Sequence, residues 1–257
     1  MTETDNRLIT YRDAATEALL LAMGKDEKVF LMGEGVDNIT GVYGQVLPAY
    51  KKFGPSRVID TPLCENGLTG FAIGAALDGM RPVLIHQRND FMLLTMDQIM
   101  NQAAVLRYAS GGRHRISLTI LSFVARRPGE GVQHSHSLQS VFAHFPGIKV
   151  GMPASAVDAK GMLLSAIFDD GPVIILEHRH PTLFDKKEYV SEKYYETPFE
   201  SKRVVEGEDI TIVTVSIALI DAIAAQKELN TENIYPEIID LRWLRPLDIN
   251  PVIQSVK

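Results

Sequence analysis

Apolar and polar positions along the chain alternate between two periods. Thr10 to Met23 sets Ala14, Ala18, Leu19 and Leu21 near one face, which predicts a helix with Thr10 as its cap. Val29-Phe30-Leu31-Met32-Gly33 is a short apolar run that reads as a buried strand. Arg57-Val58-Ile59-Asp60 reads as another, closed by Thr61-Pro62. Asn66 to Leu77 is rich in alanine and glycine at helical spacing. Arg81 to Ile85 returns to strand, and Leu93 to Tyr108 to helix. Further strands are expected over Ile116 to Phe123, Lys149 to Pro153 and Pro172 to Leu176, with a helix at Ala156 to Asp169 between the last two. Strands alternating with helices at this spacing predict an α/β fold, a parallel sheet with helices on both faces. Ligands in such sheets sit at the carboxyl ends of the strands.

The pattern changes after residue 181. Thr182 to Arg203 is charged and tyrosine-rich and reads as a linker or surface crossover. Asp209 to Val215 is then a strand, Ala218 to Leu229 a helix and Glu237 to Leu241 a strand. Arg245-Pro246-Leu247-Asp248 turns into one more helix. The chain therefore divides into a first unit over 1–181, a crossover over 182–205, and a second α/β unit over 206–257 with too few elements to close a sheet of its own.

Composition narrows the function classes. The 257 residues are 46% hydrophobic with a formal net charge of −6, so no broad basic face is expected and nucleic acid is not a partner. The most apolar stretch, Gly67 to Ala76, stops at Asp78, so no membrane span is expected. An acidic start, Met1 to Asp5, has no signal-peptide core, and the single cysteine, Cys64, excludes an internal disulfide; both point to a reducing, cytoplasmic setting.

Familiar nucleotide, zinc and redox motifs are absent. His134-Ser135-His136 with His144, and His178 with His180, have no accompanying carboxylate cluster and do not read as a transition-metal site. The informative stretch is Glu65-Asn66-Gly67-Leu68-Thr69-Gly70-Phe71-Ala72-Ile73-Gly74-Ala75, a carboxylate at a strand-to-helix junction followed by bare backbone on one helix face. Two readings stay open on the residues alone. Glu65 complements the helix dipole ahead of ordinary tight packing, or it is a functional carboxylate.

The order glutamate, four residues, glycine, apolar, two residues, glycine, apolar resembles the pyrimidine-domain motif of thiamine diphosphate enzymes. Ile59 to Glu65, Gly79-Met80-Arg81-Pro82-Val83, Met96 to Ala104, Gly131-Val132-Gln133-His134-Ser135, Pro146 to Val150 and Asp240 to Asp248 resemble one branch in particular. That branch is the β subunit of the decarboxylase component of 2-oxoacid dehydrogenases, of pyruvate, branched-chain and acetoin type.

The resemblance implies a pyrimidine-binding domain over 1–181 and part of a transketolase C-terminal-like domain over 206–257. Members of that family continue past the Arg-Pro-Leu-Asp turn to complete the second domain. The implied reaction is oxidative decarboxylation of a 2-oxoacid with acyl transfer to lipoamide. In this reading Glu65 hydrogen-bonds the aminopyrimidine ring nitrogen, Phe91 stacks on the ring, Gln87 lies on the same strand end, and His134 serves at the site's mouth. Leu118, Ala166, Ile167 and Asp169 match a structural potassium site built from backbone carbonyls. The Gly-Asp-Gly…Asn motif that holds magnesium and the diphosphate is missing, so an α subunit would supply that half in an α2β2 assembly, with a lipoyl acyltransferase as the next partner. Arg88 and Arg126-Arg127 depart from the family and suggest an anionic or polar substrate tail. A split transketolase-like enzyme is the alternative. A catalytically idle interaction subunit is a third reading, disfavoured by the presence of Glu65, Phe91 and His134 together.

Overall fold

The computed structural model describes residues 6–39, 41–124 and 130–257. The chain opens with strand β1 (Asn6–Thr10) and helix α1 (Tyr11–Lys25), whose N-cap Thr10 accepts a hydrogen bond from the Asp13 amide. Strand β2 (Val29–Gly33), helix α2 (Leu47–Phe53) and strand β3 (Val58–Asp60) follow. Helix α3 (Glu65–Leu77) leads into strand β4 (Arg81–His86). From Phe91 to Ala109 the backbone stays helical but changes pitch. It is a 3-10 turn over Phe91–Thr95, a π-helix over Asp97–Ala103 and an α-helix, α4 (Ala104–Ala109).

Next come strand β5 (Thr119–Val124), helix α5 (Gln139–His144), strand β6 (Lys149–Gly151), helix α6 (Ala156–Phe168) and strand β7 (Val173–His178). A short helix α7 (Pro181–Phe184) and strand β8 (Lys187–Ser191) occupy the expected crossover, and β8 pairs antiparallel with β1. Strands β9 (Lys202–Val205) and β10 (Ile210–Thr214), helix α8 (Ala218–Thr231), strands β11 (Pro236–Asp240) and β12 (Trp243–Arg245) and helix α9 (Asn250–Ser255) complete the chain.

Seven strands form the central sheet in the order β12-β6-β7-β5-β4-β2-β3. Six of them run parallel, and β12 joins antiparallel to β6. Strands β2, β5 and β7 are buried along their whole length, as a sheet covered on both faces requires. On one face α1 and α6 pack on Leu31, Leu121, Phe123 and Ile175. On the other, α3 and the Phe91–Ala109 helical run pack on Met32, Leu84, Ile120 and Leu176. A three-stranded sheet, β10-β11-β9, carries its own small core of Leu219, Ala222 and Ile238. Trp243 of β12, fully buried, anchors the segment that leads into β9. Its indole N–H donates to the Pro198 carbonyl at 3.0 Å, and its ring lies against Phe199. Among the described residues no helix is long and apolar enough to cross a membrane.

Candidate active site

Where β2, β3 and β4 end side by side, the parallel register brings Gly33 level with Asp60 and Ile85. The residues just beyond therefore converge. Thr61-Pro62 ends β3, and the chain turns at Cys64 into α3, so Glu65 becomes the first residue of a helix thirteen residues long. Its half-buried carboxylate stands where the helix dipole is positive. Leu68, one turn on, faces the same cleft, as do Glu34 after β2, and His86, Gln87 and Phe91 at and after β4.

Close hydrogen bonds hold the cleft's walls. The Gln87 side-chain amide donates to the Glu34 carbonyl at 2.8 Å, and the Gly35 amide donates to the Asp60 carboxylate at 2.6 Å. Gly35 has φ of +67°, and a β-carbon there would lie 3.1 Å from the Gln87 amide nitrogen. Glycine is what lets the strand end and Gln87 approach. Beneath Glu65, Thr69 donates its hydroxyl proton to the Glu65 carbonyl at 2.7 Å and lies 3.4 Å from His86 Nε2. With that hydroxyl proton committed, the network places the His86 proton on Nε2. Burial pushes His86 down to about 4, so it is neutral at physiological pH.

Among the described residues, the cleft is lined by the carboxylates of Glu34 and Glu65 and by no lysine or arginine. Burial raises the Glu34 carboxyl above the usual carboxylate range, and the charges of Glu65 and Asp60 raise it further. Such a surface repels a diphosphate. It suits a neutral or cationic heteroaromatic ring that offers N–H groups to a carboxylate and a face to Phe91.

Glu65, Gln87 and Phe91 thus line one cleft, and His134 reaches it through Phe91, the two rings meeting edge-on with centroids 5.3 Å apart. Glu34 and His86 belong to the same cleft and were not evident from the sequence. The signal for Glu34 was a Gly-Glu-Gly triplet directly after a buried strand. His136 is tied to Asp90 at 2.5 Å. Arg88, expected near the entrance, is internal instead. It is buried, bonded to the Tyr43 hydroxyl and paired with Glu130 at 3.3 Å, so its charge is matched inside the fold and is not offered at the cleft's mouth. Arg126 and Arg127 lie outside the described residues.

The four carbonyls expected around potassium are already engaged. Leu118 accepts from the Val173 amide and Ala166 from the Asp169 amide, while Ile167 and Asp169 accept from the Arg81 guanidinium at 3.2 and 3.0 Å. The Asp169 side chain pairs with Lys149. Among the described residues, no group of three His, Cys, Asp or Glu side chains is placed to hold a metal ion.

Comparison with known proteins agrees with this architecture. The family described as transketolase, pyrimidine binding domain, matches residues 7–182, and the transketolase C-terminal domain family matches 200–257. The pyruvate dehydrogenase E1 component subunit beta of Rickettsia bellii is 40% identical over 250 residues, covering 97% of this chain and 76% of the relative. The 2-oxoisovalerate dehydrogenase subunit beta of Bacillus subtilis is 34% identical over 248 residues, covering 96% and 76%. The acetoin:2,6-dichlorophenolindophenol oxidoreductase subunit beta of Cupriavidus necator is 38% identical over 262 residues, covering 98% and 77%. A solved split-gene transketolase, an inactive β4 tetramer, superposes with a TM-score of 0.75 at 22% identity over 96% of this chain and 76% of its own, a likeness of fold. The chain belongs to the transketolase-like pyrimidine-binding family, in the branch of the thiamine diphosphate-dependent 2-oxoacid dehydrogenase E1 β subunits.

Proposed function

We propose that this chain is the β subunit of a thiamine diphosphate-dependent 2-oxoacid dehydrogenase and supplies the aminopyrimidine half of each active site. The observation that carries the reading is the cleft itself, which brings together a carboxylate at a helix start, an aromatic ring and a side-chain amide. Thiamine diphosphate, when bound, supplies the nucleophilic carbon and the electron sink for loss of carbon dioxide from the 2-oxoacid. Glu65 would share a proton with the pyrimidine ring nitrogen. Phe91 would stack on the ring, and Gln87, anchored on the Glu34 carbonyl, would help to hold it. The neutral His86 beneath Glu65 closes the floor to water without adding charge. His134 moves protons at the mouth of the cleft, its ring held edge-on to Phe91.

An α subunit carrying the Gly-Asp-Gly…Asn motif would hold the diphosphate and magnesium in an α2β2 assembly, and a lipoyl acyltransferase would accept the acyl group. The potassium assignment fits only in part. Each of the four carbonyls keeps a second lone pair, but those of Ile167 and Asp169 face the Arg81 guanidinium, whose charge opposes a cation there. A melting temperature that rises in potassium but not in sodium salts would support the site.

Mixing the chain with such an α subunit tests the whole reading. The mixture is expected to bind thiamine diphosphate and decarboxylate a 2-oxoacid with a lipoyl-domain acceptor, which neither chain does alone. Activity only with aldehyde acceptors would replace it by the split transketolase alternative.

A further inference from the structure

The loop that carries His134 has little apolar anchorage. Residues 131–137 are exposed apart from His134, which is half-buried, and Val132 points outward. A single 3-10 turn, Val132–His134, is closed at its base by the Ser135 hydroxyl on the Gly131 carbonyl at 2.8 Å. Such a segment is held by its hydrogen bonds or not at all.

Those bonds come from two residues. The Asn89 side chain is fully buried. It donates to the His136 carbonyl at 3.0 Å and to the Asp90 carboxylate at 3.0 Å, and accepts from the Leu138 amide at 2.9 Å. Asp90 accepts from the His136 backbone N–H at 3.1 Å and from its Nδ1 at 2.5 Å. The Asp90 side chain is 4% exposed and that of His136 52% exposed, so the carboxylate is shielded from water and His136 is its cap. A carboxylate accepts only, so the proton sits on His136 Nδ1. The Asn89 amide also donates through its backbone to the Phe123 carbonyl at 3.0 Å, which fixes it to the end of β5. Phe91, whose ring meets His134, follows Asn89 and Asp90 in the same segment. One rigid three-residue segment therefore sets the cleft's aromatic wall and straps down the loop that brings the imidazole to it.

We propose that Asn89, Asp90 and His136 are positioning residues that fix the Gly131–Leu138 loop so that His134 stays at the mouth of the cleft. This rests on His134 being the proton-transferring group of the site. In the reconstituted α/β enzyme, His136→Ala and Asp90→Ala are expected to lower kcat about tenfold while KM for the 2-oxoacid stays within about twofold, the mark of lost orientation. His136→Asn, whose amide can donate to Asp90 in place of Nδ1–H, should recover most of that loss. A His134→Ala/His136→Ala double variant should be no slower than His134→Ala alone, because His136 acts through His134.

A readout free of cofactor comes from amide exchange in the full chain. Asp90→Ala should speed exchange at His136 and Leu138 about tenfold or more while the strand amides of β5 keep their protection. Unchanged kcat in His136→Ala beside a large loss in His134→Ala would overturn the proposal. Full activity in His134→Ala would instead remove the catalytic reading of that histidine, and the exchange measurement would still decide the clamp. Should Asp90→Ala fail to fold, His136→Ala, altered at an exposed side chain, decides alone.

Discussion

Glu65 and Glu177 both stand at the carboxyl-terminal end of the seven-stranded sheet, on opposite faces of it. Glu177 follows Ile175 by two residues and so shares its side, under α1 and α6, where it is fully buried. Its polar neighbours there are the Gln45 side-chain amide and the buried Tyr11 hydroxyl. Burial pushes Glu177 up to about 8, against a small opposing pull from Gln45. Glu65 opens α3 on the other side, half-buried, with a cleft in front of it and Gln87 and Phe91 across the way. The strongly shifted carboxyl is sealed from any substrate, and the accessible one is where partners for chemistry gather. A perturbed titration alone does not locate a site; access and complementary neighbours do.

The largest effect expected is at Glu65. Glu65→Gln should lower turnover of the reconstituted enzyme at least about a hundredfold and leave the melting temperature unchanged. Near-normal turnover would erase the distinction between the two glutamates. Phe91→Ala should weaken thiamine diphosphate about tenfold through lost stacking, read as the concentration giving half-maximal activity. A shift in stability with unchanged affinity would make Phe91 a core residue only.

Glu177 should instead be felt in folding. Between pH 7 and 8 the folded chain holds a proton at Glu177 that the unfolded chain, with a carboxyl near 4.5, has released. Stability should therefore fall as pH rises, at up to about 1.4 kcal/mol per unit, and level off above 8. Asp240, raised to about 7 by burial, steepens the fall below that window, and His86 acts in the opposite sense as pH drops from 6.5 towards 4. Denaturant unfolding of Glu177→Gln should have lost the slope between pH 7 and 8 while activity persists. The smallest effect is at Glu34. Removing the Glu65 charge should lower its titration midpoint slightly, since burial is the larger cause and stays. Carboxyl carbon resonances of Glu65→Gln would record it, and an unmoved Glu34 would mean that the two groups are not coupled.

What was legible in the sequence was local. The Thr10 cap, the apolar run of β2 and the Glu65–Leu77 helix each announce themselves within a few residues. Glu65, Gln87 and Phe91 were expected from a resemblance carried by several ordered motifs, and they line one cleft. What escaped depends on distant pairing. Asn6–Thr10 becomes a strand only because Lys187–Ser191 lies alongside it, and Trp243–Arg245 only because β6 offers an edge. Glu34 enters the site through the register of three parallel strands, which one segment cannot reveal. Leu93 to Tyr108 was expected as one helix, and its π-helical middle departs from the 3.6-residue period on which that expectation rests.

The docking of β12 on β6 also bears on how the chain behaves in a crowded solution. Unpaired edge strands recruit edges from other molecules, and β6, flanked on its inner side by β7, has β12 as the cover of its outer side. A fragment ending before Trp243 would retain Glu65, Gln87, Phe91 and His134 and yet carry a bare, extensible sheet margin. Its failure would show as self-association rather than as a damaged site, so the last strand of the sheet protects the solubility of a cleft it does not touch.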